Sequence, residues 1–185
     1  MSTEIEAKLK VDSLEKVRER LKELGAEFVA EQPQEDVLFD DEHDTLTKAD
    51  SCIRLRAQTA RNETKYILTY KGAKEKSSYK RRREIEIEVS DADSTRDILC
   101  ALGYDKKLTV EKKRSLWRFG ECEVALDQVK ELGDFVEIEG PNEDKINNVQ
   151  KSLNLAHLSH IPKSYASLIA DRIRENEEVK TEHTR

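Results

Sequence analysis

Charged and apolar residues alternate along most of this chain, and the alternation gives way to a helical period at only a few places. Successive side chains of a strand point to opposite faces, so the alternation predicts strands. They fall near 4–11, 36–41, 52–58, 64–71, 82–89, 108–118, 122–129 and 134–140, with Phe119-Gly120-Glu121 as a tight hairpin turn. Leu14, Val17, Leu21 and Leu24 keep the spacing of a helix face, with Asp12 and Glu15 in a capping-box relation before them and Gly25 as the stop. Further helices are predicted at about 93–102 (Ile98, Leu99, Leu102), about 143–153 (Ile146, Val149, Leu153) and about 162–174, the last with Pro162 at its start.

Glu-Ile-Glu occurs at 4–6, 84–86 and 137–139, each time inside an alternating run and each time followed by a helical pattern. Those patterns end in Leu24-Gly25-Ala26, Leu102-Gly103-Tyr104 and Leu153-Asn154-Leu155. The repetition predicts three similar strand-helix units around one sheet. Eight strands favour closure into a barrel, which removes exposed edges.

Strand parity separates two faces. One carries Ile5, Ala7, Leu9 and Val11; Ile53, Leu55 and Ala57; Ile85, Ile87 and Val89; Val124 and Leu126; Val136 and Ile138. The other carries Glu4, Glu6 and Lys8; Arg54 and Arg56; Arg82, Glu84, Glu86 and Glu88; Asp127; Glu137 and Glu139. Amphipathic helices must bury their apolar stripes, and the apolar sheet face is the partner on offer. The charged face therefore lines the inside, and a dry core cannot hold so many charges. The expected fold is α+β: an eight-stranded antiparallel β-barrel with a wet, charged tunnel and helices packed outside. A single domain is expected over 1–174, followed by a charged, mobile tail at 175–185.

The 185 residues suit one domain. Charged residues make up 39% and apolar ones 36%, but the apolar positions are too well patterned for disorder. A net charge of −6 argues against nonspecific nucleic-acid binding. Cys52, Cys100 and Cys122 form no CxxC pair, which predicts inert thiols in a reducing cytosol rather than a disulfide frame or zinc site. No apolar run approaches the length of a membrane span, and no signal-peptide layout opens the chain, so the expectation is a cytoplasmic protein without a membrane partner.

On the charged face, cations (Lys8, Arg54, Arg56, Lys71, Arg82, Lys112, Arg114) mix with carboxylates (Glu4, Glu6, Glu84, Glu86, Asp127, Glu137, Glu139). A mixture suits a polyanion that arrives with a divalent metal. Arg forks take phosphate oxygens bidentately, Lys supplies point charge, and carboxylates hold hard ions that bridge phosphate oxygens.

Glu4-x-Glu6-x-Lys8 is the ExExK pattern of the CYTH, or triphosphate tunnel metalloenzyme, superfamily. It is followed by Asp36-x-x-Phe39-Asp40, Ile53-Arg54-Leu55-Arg56, Thr69-Tyr70-Lys71-Gly72, Arg82-x-Glu84-x-Glu86, Lys112-x-Arg114, Leu126-Asp127 and Leu132-Gly133-Asp134-Phe135-Val136-Glu137-Ile138-Glu139. In that order, over about 5–140, the set resembles the superfamily, and the last stretch is nearest its class IV adenylyl cyclase branch. The Ser164-Tyr165 helix resembles the family's C-terminal segment.

The resemblance implies Mg²⁺ or Mn²⁺ held by Glu4, Glu6, Glu137, Asp127 and Glu139, with Glu84 and Glu86 as additional acids. Phosphates would be gripped by Lys8, Arg54, Arg56, Lys71, Arg82, Lys112 and Arg114, and Lys8, Glu4 and Glu6 would be catalytic. It further implies an adenylyl-cyclase-like enzyme that turns ATP into cyclic AMP and pyrophosphate. A triphosphatase acting on thiamine triphosphate, tripolyphosphate or a nucleoside triphosphate is the alternative, and a noncatalytic polyphosphate- or nucleotide-binding module is a third reading. The oligomeric state is left open, with a homodimer as one option.

Isolated alternation of Glu and Arg is usually a solvated face; the ordered set is what lifts this one above that reading. The Lys80-Arg81-Arg82-Arg83 run is split by parity and is not read as a nucleic-acid patch. His157 and His160 are read as surface residues, and Trp117 and Tyr165 as packing residues.

Overall fold

The computed structural model describes residues 2–74 and 80–182, with side chains described for 5–74 and 82–177. In chain order, β1 (Ser2–Lys10) leads to α1 (Leu14–Glu23) and β2 (Glu27–Asp40), then α2 (Thr45–Lys48), β3 (Cys52–Ala60), β4 (Glu63–Lys71) and β5 (Lys80–Val89). α3 (Ala92–Ala101) precedes β6 (Asp105–Phe119), β7 (Cys122–Val129) and β8 (Gly133–Glu139), and α4 (Glu143–Ser152) and α5 (Tyr165–Glu182) complete the order. The strands close a barrel in the order β1-β5-β4-β3-β2-β6-β7-β8, and β1 pairs antiparallel with both β5 and β8.

Parity holds as expected on the side covered by helices. Ile5, Ala7 and Leu9 of β1, Val124 and Leu126 of β7, and Val136 and Ile138 of β8 bury against Val17 and Leu21 of α1 and Ile146 and Val149 of α4. α3 covers β3 through Leu99 on Leu55, and α5 brings Tyr165 and Ile169 onto Val110, Val129 and Phe135.

The repeated helix endings share one geometry. Gly25, Gly103 and Asn154 sit at φ of 73°, 87° and 61°, and the amides of Ala26, Tyr104 and Leu155 reach back to the carbonyls of Leu21, Leu99 and Gln150. That is the Schellman closure, and glycine or asparagine tolerates its left-handed turn residue.

Several expectations change. β2 begins at Glu27, well before the expected 36, because Pro33 interrupts the sequence pattern. Pairing with β3 starts only at Gln34, so Pro33 lies where β2 pairs with β6 alone, and its missing N–H costs no bond on the β3 side. α1 is capped by Ser13 without a side-chain bond, rather than by the Asp12/Glu15 box. The short α2 was not foreseen. α5 starts at Tyr165 instead of 162 and continues to Glu182, so the tail expected at 175–185 is helical up to that point. Its run of Glu and Lys favours helix. Finally, Ile85 and Ile87, expected under a helix, are 42% and 55% exposed, and among the described residues neither joins a core cluster beneath a helix.

Candidate functional site

The inward parity of the strands gathers the charged residues around one cavity of about 990 Å³. On the β6–β7–β8–β1 side, Asp127 is fully buried. Its Oδ1 accepts from Arg114 Nε at 2.7 Å, and its Oδ2 accepts from Arg114 Nη2 at 2.6 Å, Lys112 Nζ at 3.3 Å and the Tyr165 hydroxyl at 2.9 Å. Arg114 also donates to Glu137, and Lys8 Nζ lies 3.2 Å from the other Glu137 oxygen while donating to the Lys163 carbonyl. The Tyr165 ring sits under both ammonium groups, 4.1 Å from Lys8 Nζ and 4.9 Å from Lys112 Nζ, and meets Phe135 edge-on.

On the β2–β3–β4–β5 side, Arg56 grips Asp36 bidentately at 2.6 and 2.8 Å, with Arg54 Nη1 3.9 Å from the same carboxylate. Arg54 Nη2 donates to Thr69 Oγ1, which donates to Glu86. Lys71 is hydrogen-bonded to Glu84, and Arg82 Nε stands 3.6 Å from the same Glu84 oxygen, too far for a hydrogen bond. Two guanidinium donors, Arg54 Nε and Arg82 Nε, are buried without a hydrogen-bond partner among the described residues.

Burial and neighbouring charge set the protonation states. Burial tends to raise the Asp36 carboxyl, but the Arg56 and Arg54 charges outweigh it and hold the group well below the usual carboxylate range. Asp127 is likewise lowered, with burial overcome by Arg114 and Lys112. Burial, followed by the Arg114 charge, pushes the Lys112 amine down to about 8 despite Asp127 and Glu137. Burial, then the Glu137 and Asp127 charges, drives the Tyr165 hydroxyl up, so it stays a donor.

Lys8, Arg54, Arg56, Lys71, Arg82, Lys112, Arg114, Glu84, Glu86 and Glu137 thus all line the one cavity, together with Glu6 and Glu139. Glu6 and Glu139 are register partners at the end of the barrel away from α5. Asp127 stands behind this lining, its acceptor positions filled by Arg114, Lys112 and Tyr165. Glu4 is opposite Arg82 in the β1–β5 register, and its side chain lies outside the described residues. Among the described residues no three His, Cys, Asp or Glu side chains converge on a single metal centre. The donors Glu6, Glu137 and Glu139 are all hard oxygens, which suits Mg²⁺ or Mn²⁺ in kind.

Sequence reasoning missed four contributors. Asp36 was quoted within a motif but given no role, because the strand around it was read too short to show its inward parity. Tyr165 was read as packing; nothing in the local spacing shows that its hydroxyl reaches Asp127, 38 positions away. Glu123 alternates with Ala125 and Asp127 and was therefore within reach of parity; it is the register partner of Glu139. Thr69 links Arg54 to Glu86. Conversely, Asp40 caps α2, accepting from the amides of Asp41, Leu46 and Thr47, which is a structural role for a motif residue.

The family model described as CYTH domain matches residues 2–165. A protein of Methanocaldococcus jannaschii named "Putative adenylate cyclase" is 31% identical over 89% of this chain and 97% of its own length. Among solved structures, one from Pyrococcus horikoshii OT3 superposes with a TM-score of 0.81 at 27% identity, covering 91% of this chain and 99% of that one. A Hippeastrum protein, described as an adenylyl cyclase candidate that reveals a dominant triphosphatase activity, superposes with a TM-score of 0.69 at 16% identity, covering 91% of this chain and 95% of its own. That last likeness is one of fold.

Proposed function

The chain belongs to the CYTH domain family, and from that premise we propose that it is a divalent-metal-dependent enzyme that grips a triphosphate in its tunnel and converts ATP into cyclic AMP and pyrophosphate. The observation that carries this reading is the pair of buried donors Arg54 Nε and Arg82 Nε, which have no hydrogen-bond partner among the described residues, beside the other cavity cations. Leaving a buried donor unsatisfied costs about 1–3 kcal/mol, and a phosphate oxygen would satisfy it. Carboxylates hold the other cations at their stations, so the tunnel is preorganised for an anion, which takes over the contacts of Glu84, Glu86 and Asp36.

Glu4, Glu6, Glu137 and Glu139 are the residues that would hold Mg²⁺ or Mn²⁺. A bound divalent ion supplies charge neutralisation and polarisation of the phosphate oxygens. Arg54, Arg56 and Arg82 bind and orient the phosphate chain from one wall, and Lys112 and Arg114 from the other. Lys8 Nζ, an ammonium held beside Glu137, is the group placed to contact phosphate or pass a proton. Cyclisation requires the ribose 3′-oxygen in line with the α-phosphorus at about 3–3.5 Å, whereas hydrolysis requires only a positioned water.

The cyclase reading is supported by the 31% identical Methanocaldococcus relative's name. Hydrolysis of the triphosphate is the second reading, kept because the Hippeastrum neighbour is described by its triphosphatase activity. One incubation with ATP, thiamine triphosphate and tripolyphosphate, under Mg²⁺ and under Mn²⁺ with product identification, tests both. Cyclic AMP and pyrophosphate from ATP are expected; ADP and phosphate alone would replace the cyclase with the triphosphatase, and no turnover of any triphosphate would leave a binding module.

A further inference from the structure

One strip of the tunnel wall is uncharged. Gln32 and Gln34 of β2, Gln58 of β3, Leu116 of β6 and Ile67 of β4 all line the cavity. Register fixes their order. Gln34 is the partner of Gln58; Leu116 stands diagonal to Gln32, two positions from its partner Arg114, and Ile67 stands diagonal to Gln58, two positions from its partner Lys65. In the closed order β2 is four strands from β1 and β3 is four strands from β8, so the strip lies across the tunnel from Glu6, Glu137 and Glu139. Its carboxamides are not fully paired. Gln34 Nε2 donates to Gln58 Oε1 at 2.7 Å, but Gln34 Oε1, in a residue only 4% exposed, has no hydrogen-bond partner among the described residues. An unsatisfied buried carbonyl is a standing cost to the fold, and a pair that served the fold alone would close its second bond. The terminal torsion of glutamine is soft, so the carboxamide turns readily to a donor in the tunnel.

We propose that this strip is the subsite for the organic group of the substrate, where Gln34 and Gln58 read a heterocycle that presents an exocyclic amine beside a ring nitrogen, as adenine does. The inference rests on the triphosphate reading above. With its Nε2 tied to Gln58, Gln34 meets the ligand through oxygen alone, so an amine at that position is accepted and a carbonyl, such as guanine carries there, is repelled. Gln58 Nε2 supplies the donor for the adjoining ring nitrogen. Arg56 and Gln58 are alternate residues of β3, about 6–7 Å apart, so a ligand whose phosphates are held by Arg56 has its next group beside Gln58. Leu116 and Ile67, at the two ends of the strip, add the apolar contact that suits a flat ring.

The test is calorimetric titration of the whole protein, with Mg²⁺ present, using the α,β-methylene analogues of ATP and GTP and inorganic tripolyphosphate as probes. The wild type should bind the ATP analogue about 10-fold or more tighter than the GTP analogue. Gln34→Leu should abolish that preference, weakening the ATP analogue about 10-fold while tripolyphosphate changes by no more than about 2-fold. Gln58→Leu should cut the preference several-fold; Gln58 is only half-buried, so its variant keeps the comparison usable if Gln34→Leu disturbs folding. The inference is overturned if the wild type binds the GTP analogue as tightly as the ATP analogue, if the variants retain the preference, or if they weaken tripolyphosphate as much as the ATP analogue. A wild type that binds none of the three probes removes the triphosphate reading and this inference with it, a result distinct from the others.

Discussion

On the β6–β7–β8–β1 side of the tunnel the charges satisfy one another, Asp127 filling its acceptors with Arg114, Lys112 and Tyr165 under a continuous cover of α1, α4 and α5. On the β3–β4–β5 side, Arg54 and Arg82 keep buried donors without hydrogen-bond partners among the described residues, the Glu86 side chain is 51% exposed, and Ile85 and Ile87 of β5 are exposed. The same residue types on the same kind of strand therefore do different work. A closed network stabilises the fold and meets a ligand only with groups it already holds in place, whereas an incomplete one contributes less to folding and more to binding.

The largest effect that would break this division is at Asp127. Asp127→Ala leaves Arg114 and Lys112 without their shared partner and should destabilise the protein by about 3–5 kcal/mol in chemical denaturation; a loss under 1 kcal/mol would mean that the closed side is not structural. Ile5→Ala, in the core beneath α1 and α4, should cost about 2–5 kcal/mol, and an unchanged melting temperature would put the barrel inside out.

Arg54→Ala and Arg82→Ala should show the opposite behaviour, leaving melting temperatures near wild type while reducing tripolyphosphate affinity by about 1.5–3 kcal/mol each in calorimetry. Equal affinities for wild type and variants would remove the open side from the phosphate site.

Lys112 sharpens the comparison through pH. Its folded value of about 8 is below the ordinary 10.5, so below pH 8 both folded and unfolded chains carry the proton. Between these values the unfolded chain retains a proton that the folded one has shed, and stability should rise with pH, by at most about 1.4 kcal/mol per unit. Tripolyphosphate affinity should fall over the same window. Subtracting the profile of Lys112→Met isolates this group; a wild-type stability that falls relative to the variant would refute the assignment. The smallest effect is at Ile87→Ala, which should change stability by no more than about 0.5 kcal/mol because the residue is 55% exposed.

Parity made most of the barrel legible. Alternation placed Glu6, Lys8, Arg54, Arg56 and Glu137 on one face and Ile5, Leu55 and Ile138 on the other, since a period of two admits no third direction. What escaped was non-local or non-alternating. Pro33 concealed the first half of β2 and with it the role of Asp36. The Tyr165–Asp127 bond joins a helix to a strand that no local pattern connects. The bare face of β5 depends on where α3 docks, and the sequence of β5 itself, Glu-Ile-Glu-Ile-Glu-Val, resembles that of a covered strand.

The double pairing of β1, with β5 on one flank and β8 on the other, also governs how the molecule is born. β1 cannot complete its hydrogen bonds until the chain has been made through Glu139, on the order of ten seconds after β1 itself at ordinary synthesis rates. During that interval an apolar stripe, Ile5-x-Leu9 with Ala7 between, is open to other chains, and its alternating glutamates act as gatekeepers against stray pairing. The carboxylates proposed to hold a metal are thus also, during synthesis, a guard against aggregation.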